Sequence, residues 1–284
     1  MILSRQVFEY QQRPIIEKVT IQLPFRYQGL FPDEGCFLYI TGADSKVWAA
    51  ESVTILREQE AVLLKCGSYF VDWIKGLNSE SVEVIAFHLY ADVLRSLYHQ
   101  GFPNLIKQQM RSPAVRPIVH DEVLTHFIQN LAFYFDNPSL INEDVLELKI
   151  RELVLLLTQS TQSVSVIDLL KDLFSPHDIS LREVVHQHLY SDLSNADLAH
   201  LCGMSLSSFR RHFEETFQDS PTQYILKKRL EKARELMEST SLKIAEVAFQ
   251  SGFTDPSYFA RAFKKQFGQT PTTYRAQIRR DVIS

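Results

Sequence analysis

No histidine precedes His88 in this chain, so the β-patterned first part of the sequence lacks the two histidines, one residue apart on a strand, that would hold a catalytic metal there. Glu34, Glu51, Glu58 and Glu60 stand as lone carboxylates and read as surface acids. His186 and His188 do lie two apart, but in a predicted helix, where that spacing sends the rings to different faces. Cysteine is scarce as well. Cys36, Cys66 and Cys202 are far apart and in no zinc or redox spacing, which reads as three reduced packing residues in a reducing compartment. No stretch approaches the roughly 18 apolar residues of a membrane span, and the segment from Met1 to Gln6 opens no apolar run of signal-peptide length. The expectation is a cytoplasmic protein with no membrane partner. A nucleophile elbow, a phosphate-cradling glycine loop and a paired-acid motif are all missing, so the sequence nominates no catalytic residue, no cofactor site and no metal ligand.

What is present suits two domains: 284 residues, 45% of them hydrophobic, are enough for more than one packed core. The formal net charge of -4 conceals an asymmetry. Residues 221–280 carry twelve Lys and Arg against five Asp and Glu, a local excess of +7, so the rest of the chain is acidic. A basic tail on an acidic body suits a polyanion.

From about residue 18 to 89 short β-type runs alternate with turn residues: Val19 to Leu23, Cys36 to Ile40, Val47 to Leu56, Ala61 to Lys65, Tyr69 to Lys75 and Val82 to His88. Gly29, Pro32 to Gly35, Gly42-Ala43-Asp44, Gly67-Ser68 and Gly76-Leu77-Asn78 punctuate them, the pattern of a small barrel or sandwich. The aromatic positions Tyr39, Trp48, Tyr69, Phe70, Trp73 and Phe87 read as core. Near Tyr90 the spacing turns helical, over Ala91 to His99, Val119 to Phe135 and Glu143 to Thr158, with Leu146, Ile150, Leu153, Val154 and Leu157 on one face. Asn137-Pro138 separates the last two helices. Ser163 to Ser165 and Ser175-Pro176-His177 are the last breaks, which sets the next domain boundary near residue 176.

Beyond that boundary the chain repeats itself. Asp197-Leu198-Ala199, Gly203-Met204-Ser205, Phe209 to Phe213, Phe217, Pro221 and Tyr224 return as Glu246-Val247-Ala248, Gly252 to Asp255, Phe259 to Phe263, Phe267, Pro271 and Tyr274, at an offset of 49 up to the glycine and 50 beyond it. Each feature has a mechanical reason. A small alanine lets a second helix cross closely, and the glycine four residues on supplies the positive φ that turns the chain. Ser205 and Asp255 are suitable N-caps, with Pro256 at the first helical position. Ser220 to Gln223 reads as a capping box opening a helix from about Thr222 to Glu238, long enough to be a strut. Phenylalanines every four residues give one buried stripe per helix.

The stripe fixes the opposite face. At about 100° per residue, a position two beyond a buried phenylalanine lies roughly 200° away. Ser207 and Arg211 in the first copy, and Ser257, Arg261 and Lys265 in the second, therefore face outward, flanked by Arg210 and Lys264. Arginine forks onto guanine, a hydroxyl reaches a base edge or a phosphate, and lysine suits phosphate. These seven residues are the candidate DNA contacts of two helix-turn-helix units.

The segment from about His177 to Arg280 resembles the DNA-binding domain of the AraC/XylS family of bacterial transcription regulators, most specifically over Ile244 to Phe253, Ser257 to Gly268 and Thr270-Pro271. One departure is Lys243, at a helix start where Ser194 stands in the first copy; a looser helix end is expected there. The resemblance implies seven helices, two readers in successive major grooves and control of promoter use, with duplex DNA and RNA polymerase as partners. It also implies an α+β chain, with a cupin-like regulatory β barrel over 1–100, a helical dimerisation region over 101–175 and the DNA-binding domain over 176–284. The layout, including Gly67-Ser68-Tyr69, further resembles the virulence regulators exemplified by type III secretion activators, in which a protein partner can replace a metabolite. The leading expectation is a homodimeric activator controlled by a small molecule or a regulatory protein. The alternatives are a cupin-type metalloenzyme with an appended DNA domain, against which the missing histidines argue, and an architectural DNA-binding protein, against which the large non-basic first half argues.

Overall fold

The computed structural model describes all residues except 32–33, 74–78, 99–112, 119–121, 162–165, 175–179 and 282–284. The turn signals at Pro32-Asp33 and Gly76-Leu77-Asn78, the breaks at Ser163 to Ser165 and Ser175-Pro176-His177, and the expected helical residues His99 and Val119 lie outside the described residues. The chain divides into two units, Met1–Asp178 and Ile179–Ser284.

The first unit is built on two antiparallel sheets. Its strands are β1 (Ile2–Tyr10), β2 (Arg13–Gln22), β3 (Phe25–Phe31), β4 (Glu34–Thr41), β5 (Ser45–Trp48), β6 (Val53–Leu56), β7 (Ala61–Leu64), β8 (Gly67–Trp73), β9 (Ser81–Tyr90) and β10 (Val115–Ile118). Six of them run in the order β1-β2-β9-β4-β7-β10 and four in the order β3-β8-β5-β6. Alternation along the central strands explains the layering. On β9, Val82, Val84 and Ala86 join Leu38, Ile40, Val71 and Trp73 in the core between the sheets. Ile85, Phe87 and Leu89 point the other way, into a second core with the helices. The six-stranded sheet is thus buried on both faces at its centre, which is why β4 and β7 read as unbroken apolar runs from Cys36 to Ile40 and from Ala61 to Leu64.

The helices of this unit are α1 (Ala91–Leu97), α2 (Glu122–Asp136), α3 (Glu143–Ser160) and α4 (Val166–Leu173), with a single 3-10 turn at Pro138–Leu140 between α2 and α3. Leu146, Ile150, Leu153, Val154 and Leu157 are the buried face of α3, and its start is capped by Asn142, whose side chain accepts from the Val145 N–H. All six strand aromatics named above are buried. Lys65 and Asp172 pair at 2.7 Å with almost no exposure, joining the end of β7 to α4.

Several strands depart from the sequence expectation. β1, β3 and β10 were not anticipated, and the expected single strand from Val47 to Leu56 is two, β5 and β6, joined by a tight turn in which the Ala49 N–H donates to the Ser52 carbonyl at 2.9 Å. Gly67 and Ser68 open β8 instead of standing before it. β1, β3, β6 and β10 are the four sheet edges. An edge strand buries fewer of its residues, and Pro117 within β10 is tolerable only there.

Candidate nucleic-acid interface

The second unit contains seven helices among the described residues: α5 (Leu181–His188), α6 (Asn195–Leu201), α7 (Leu206–Phe217), α8 (Pro221–Ser239), α9 (Ile244–Gln250), α10 (Pro256–Phe267) and α11 (Pro271–Asp281). α6 with α7, and α9 with α10, are the two helix-turn-helix pairs. Ala199 and Ala248 are buried at the crossings, and Gly203 and Gly252 take φ of 64° and 85° in the turns. The Ser205 Oγ accepts from the Ser208 N–H at 3.2 Å, and Asp255 Oδ1 accepts from the Ser257 N–H at 2.7 Å, so both second helices are capped where the sequence placed the caps.

The phenylalanine stripe is buried in two of its three positions. Phe209, Phe213, Phe259 and Phe263 have no exposure. Phe217 and Phe267 are half-buried and are covered by other groups. Phe217 lies 4.5 Å from the Tyr224 ring and 5.2 Å from the Arg182 guanidinium, and Phe267 lies 6.5 Å from Tyr274 and 5.5 Å from the Arg234 guanidinium. The third phenylalanine of each stripe therefore seats the helix that follows, α8 or α11.

With the stripe turned inward, Ser207, Arg210 and Arg211 on α7, and Ser257, Arg261, Lys264 and Lys265 on α10, are all exposed. Among the described residues no acid pairs with any of these five cations. Most cations of α8 behave differently: Lys228 meets Glu231 at 2.9 Å, Lys232 meets Glu235 at 3.1 Å and Arg234 meets Glu238 at 3.9 Å, and Lys227 is the exposed one without an acid partner among the described residues. The strut pairs three of its five cations internally, whereas the recognition helices pair none of theirs.

α8 runs 19 residues, about 28 Å. Its N-terminus is closed on one side only. Ser220 Oγ accepts from the Gln223 N–H at 3.4 Å, but the Ser220 N–H donates to Asp219, not to the Gln223 side chain as the capping-box reading required. At α9 the reverse half survives: the Lys243 N–H donates to the Glu246 carboxylate at 2.7 Å, while the ammonium cannot accept from the helix. In the first copy both halves form between Ser194 and Asp197.

Sequence reasoning missed Arg229. Midway along α8, its guanidinium donates to the carbonyls of Leu189 at 2.9 Å, Ser191 at 2.6 Å and Gly252 at 2.8 Å. Burial lowers its pKa from the usual arginine value without making deprotonation relevant. The first two carbonyls precede α6 and the third belongs to the turn between α9 and α10, so one side chain ties both helix-turn-helix pairs to the strut. A Cβ at Gly252 would meet the Tyr190 carbonyl oxygen at 2.8 Å and Arg229 Nε at 3.0 Å. Nothing in the local sequence distinguishes Arg229 from the other eleven cations of the basic tail; its partners come from 40, 38 and 23 residues away.

His188 is buried and His186 exposed, on opposite sides of α5. Among the described residues no group of three or more His, Cys, Asp and Glu is arranged to hold a metal ion, and no helix is long and apolar enough to cross a membrane. Burial pushes the Cys202 thiol up to about 12 and raises that of Cys36, the behaviour of packing thiols.

Residues 198–277 match the family model described as a helix-turn-helix domain, and residues 35–169 match the one described as the ExsA N-terminal regulatory domain. The virulence regulon transcriptional activator VirF of Yersinia enterocolitica is 26% identical over 250 residues, 85% of this chain and 89% of that protein. The HTH-type transcriptional regulator ExsA of Pseudomonas aeruginosa is 25% identical over 249 residues, 86% of each. Among solved structures, the DNA-binding domain of AdpA in complex with a target DNA is 29% identical, covering 36% of this chain and 91% of that one with a TM-score of 0.34. The duplicated helix-turn-helix unit behind a two-sheet regulatory unit, and the agreement of both family models with that division, establish that this chain belongs to the AraC/XylS family of bacterial transcription regulators.

Proposed function

We propose that this chain is a cytoplasmic, non-enzymatic activator whose second unit reads two half-sites on one face of a duplex. In this reading α7 and α10 enter successive major grooves. Arg211 and Arg261 fork onto base edges, Ser207 and Ser257 reach base edges or phosphates, and Arg210, Lys264 and Lys265 hold phosphates. The observation that carries the proposal is the contrast in pairing among the described residues: five exposed cations on the two recognition helices have no acid partner, whereas three of the five cations of α8 are paired with acids. The test is a comparison of two variants on a set of single-base substitutions in the binding site. Arg261→Ala should relax preference at one base, losing roughly 1–3 kcal/mol on the preferred site alone, and Lys265→Ala should weaken every site alike. Equal losses on every site for both variants would contradict the assignment.

The names of the relatives support activation, with RNA polymerase as the partner at the promoter. The first unit would supply control, through a small molecule or a regulatory protein, and self-association. Val123 and Phe133 of α2 and Leu148 and Leu155 of α3 are 57%, 54%, 65% and 52% exposed. Leu148 and Leu155 lie seven residues apart on one helix face, which suits a two-fold contact. Light scattering should give a dimer at high micromolar concentration; a monomer, with and without DNA, would refute the contact.

A further inference from the structure

The first recognition helix ends on an arginine that belongs to another helix. The last four carbonyls of an α-helix find no partner within it. On α7 the Glu214 carbonyl accepts from the Gln218 N–H, and the Glu215 carbonyl from the Gln218 side-chain amide, both at 2.9 Å. The Thr216 carbonyl accepts from the Arg182 guanidinium at 2.9 Å, and Arg182 comes from the first turn of α5. The same guanidinium lies 5.2 Å from the centre of the Phe217 ring. A cation at this end of a helix also meets the negative pole of the helix dipole. Hydrogen bond, ring contact and dipole thus act on one side chain at one place.

Two observations set this contact apart. Arg182 pairs with no acid among the described residues, because its neighbour Glu183 is occupied at the start of α5, accepting from the Ser180 N–H at 3.3 Å. The second recognition helix has no equivalent. At the end of α10 the Gly268 N–H reaches the Lys264 carbonyl at 2.9 Å, and glycine has no side chain to add. Arg234, 5.5 Å from the Phe267 ring, lies 3.9 Å from Glu238 and donates to no carbonyl of α10 among the described residues. Charge makes this difference matter. α7 carries Arg210 and Arg211 against Glu214 and Glu215, whereas α10 carries Arg261, Lys264 and Lys265 and no acid. A reader with little net attraction to phosphate depends on the aim of its base contacts, and aim is set by the groups that support it.

We propose that Arg182 is a positioning residue for the first reader: it fixes the tilt of α7 through the last turn of that helix, without touching DNA. The proposal rests on the DNA reading above and is tested in the full chain with and without DNA. Arg182→Met keeps the stem and removes the donors; Arg182→Lys keeps a charge and a donor. In the free protein, amide hydrogen exchange in the last turn of α7 should quicken about threefold to tenfold in Arg182→Met, the net worth of one hydrogen bond. The last turn of α10 should be unchanged. On DNA, Arg182→Met should lose base discrimination by a similar factor in the half-site read by α7 and none in the other. Its slope of log affinity on log salt should match the wild type, since a lost phosphate contact would flatten it by about 0.9. Arg182→Lys should recover most of both losses. Unchanged exchange, equal losses at the two half-sites, a flattened salt slope or no rescue by lysine would each overturn the proposal. Arg211→Ala separates the two readings: discrimination lost in that variant but kept in Arg182→Met overturns the positioning role alone, and discrimination kept in both overturns the DNA reading with it.

Discussion

Fifty residues apart, α7 and α10 bury the same phenylalanines, yet Glu214 and Glu215 on the first stand where Lys264 and Lys265 stand on the second. The turns differ in the same direction. A Cβ at Gly203 would meet nothing within 4 Å, whereas one at Gly252 would strike the Tyr190 carbonyl and Arg229. The left-handed residue that ends α7 is Gln218, and the one that ends α10 is Gly268. Duplication therefore kept the part that makes a helix-turn-helix pack and left the rest to diverge. The second copy carries the unopposed positive charge and is clamped to the rest of the unit through its turn. The first copy is an electrostatically mixed reader whose turn is open to solvent.

The sharpest way to break that comparison is at the two glycines. Gly203→Ala should cost about 1–2 kcal/mol, the strain of a left-handed non-glycine residue. Gly252→Ala should cost about 3–4 kcal/mol, because overpacking against a backbone carbonyl adds to the same strain. Denaturant midpoints of the two variants measure the difference, and equal losses would mean that the second turn is not clamped. A smaller effect tests the charge inversion. Replacing Lys264 and Lys265 by alanine should flatten the dependence of log affinity on log salt by up to about 1.8 units if both touch phosphate. The neutral change Ser207→Ala should leave the slope nearly unchanged. A slope indifferent to both lysines would remove the electrostatic half of the comparison.

How far the sequence foretold this structure depends on what each residue's partners are. The stripes at Phe209 and Phe259, the caps at Ser205 and Asp255, and the turn glycines were legible because every partner lies within a few residues. The buried face of α3 was legible by the same periodicity. The edge strands β1, β3 and β10 were not, because an edge strand shows too little apolar alternation to stand out, and Ala49-Ala50 hid the turn that separates β5 from β6. Arg229 was out of reach for a different reason. Its role is set by three carbonyls brought together by the tertiary fold, and a carbonyl carries no side-chain signature. Glu34 is hidden likewise: the sequence reads it as a surface acid, and pairing of β4 with β9 puts it, nearly buried, beside His88.

The central claim is that one chain presents two readers at a fixed spacing, set by α8 and the Arg229 clamp. Two recognition helices held this way reach successive major grooves only when the half-sites lie about 10 base pairs, roughly 34 Å, apart. The most direct test is the affinity of the wild-type protein for a native site and for the same site with about five base pairs inserted between the half-sites, a half-turn that moves one of them to the opposite face of the duplex. A rigid pair of readers predicts that the inserted site binds no better than a single half-site does. Undiminished affinity for the inserted site would show that the two readers move independently, and would contradict the account.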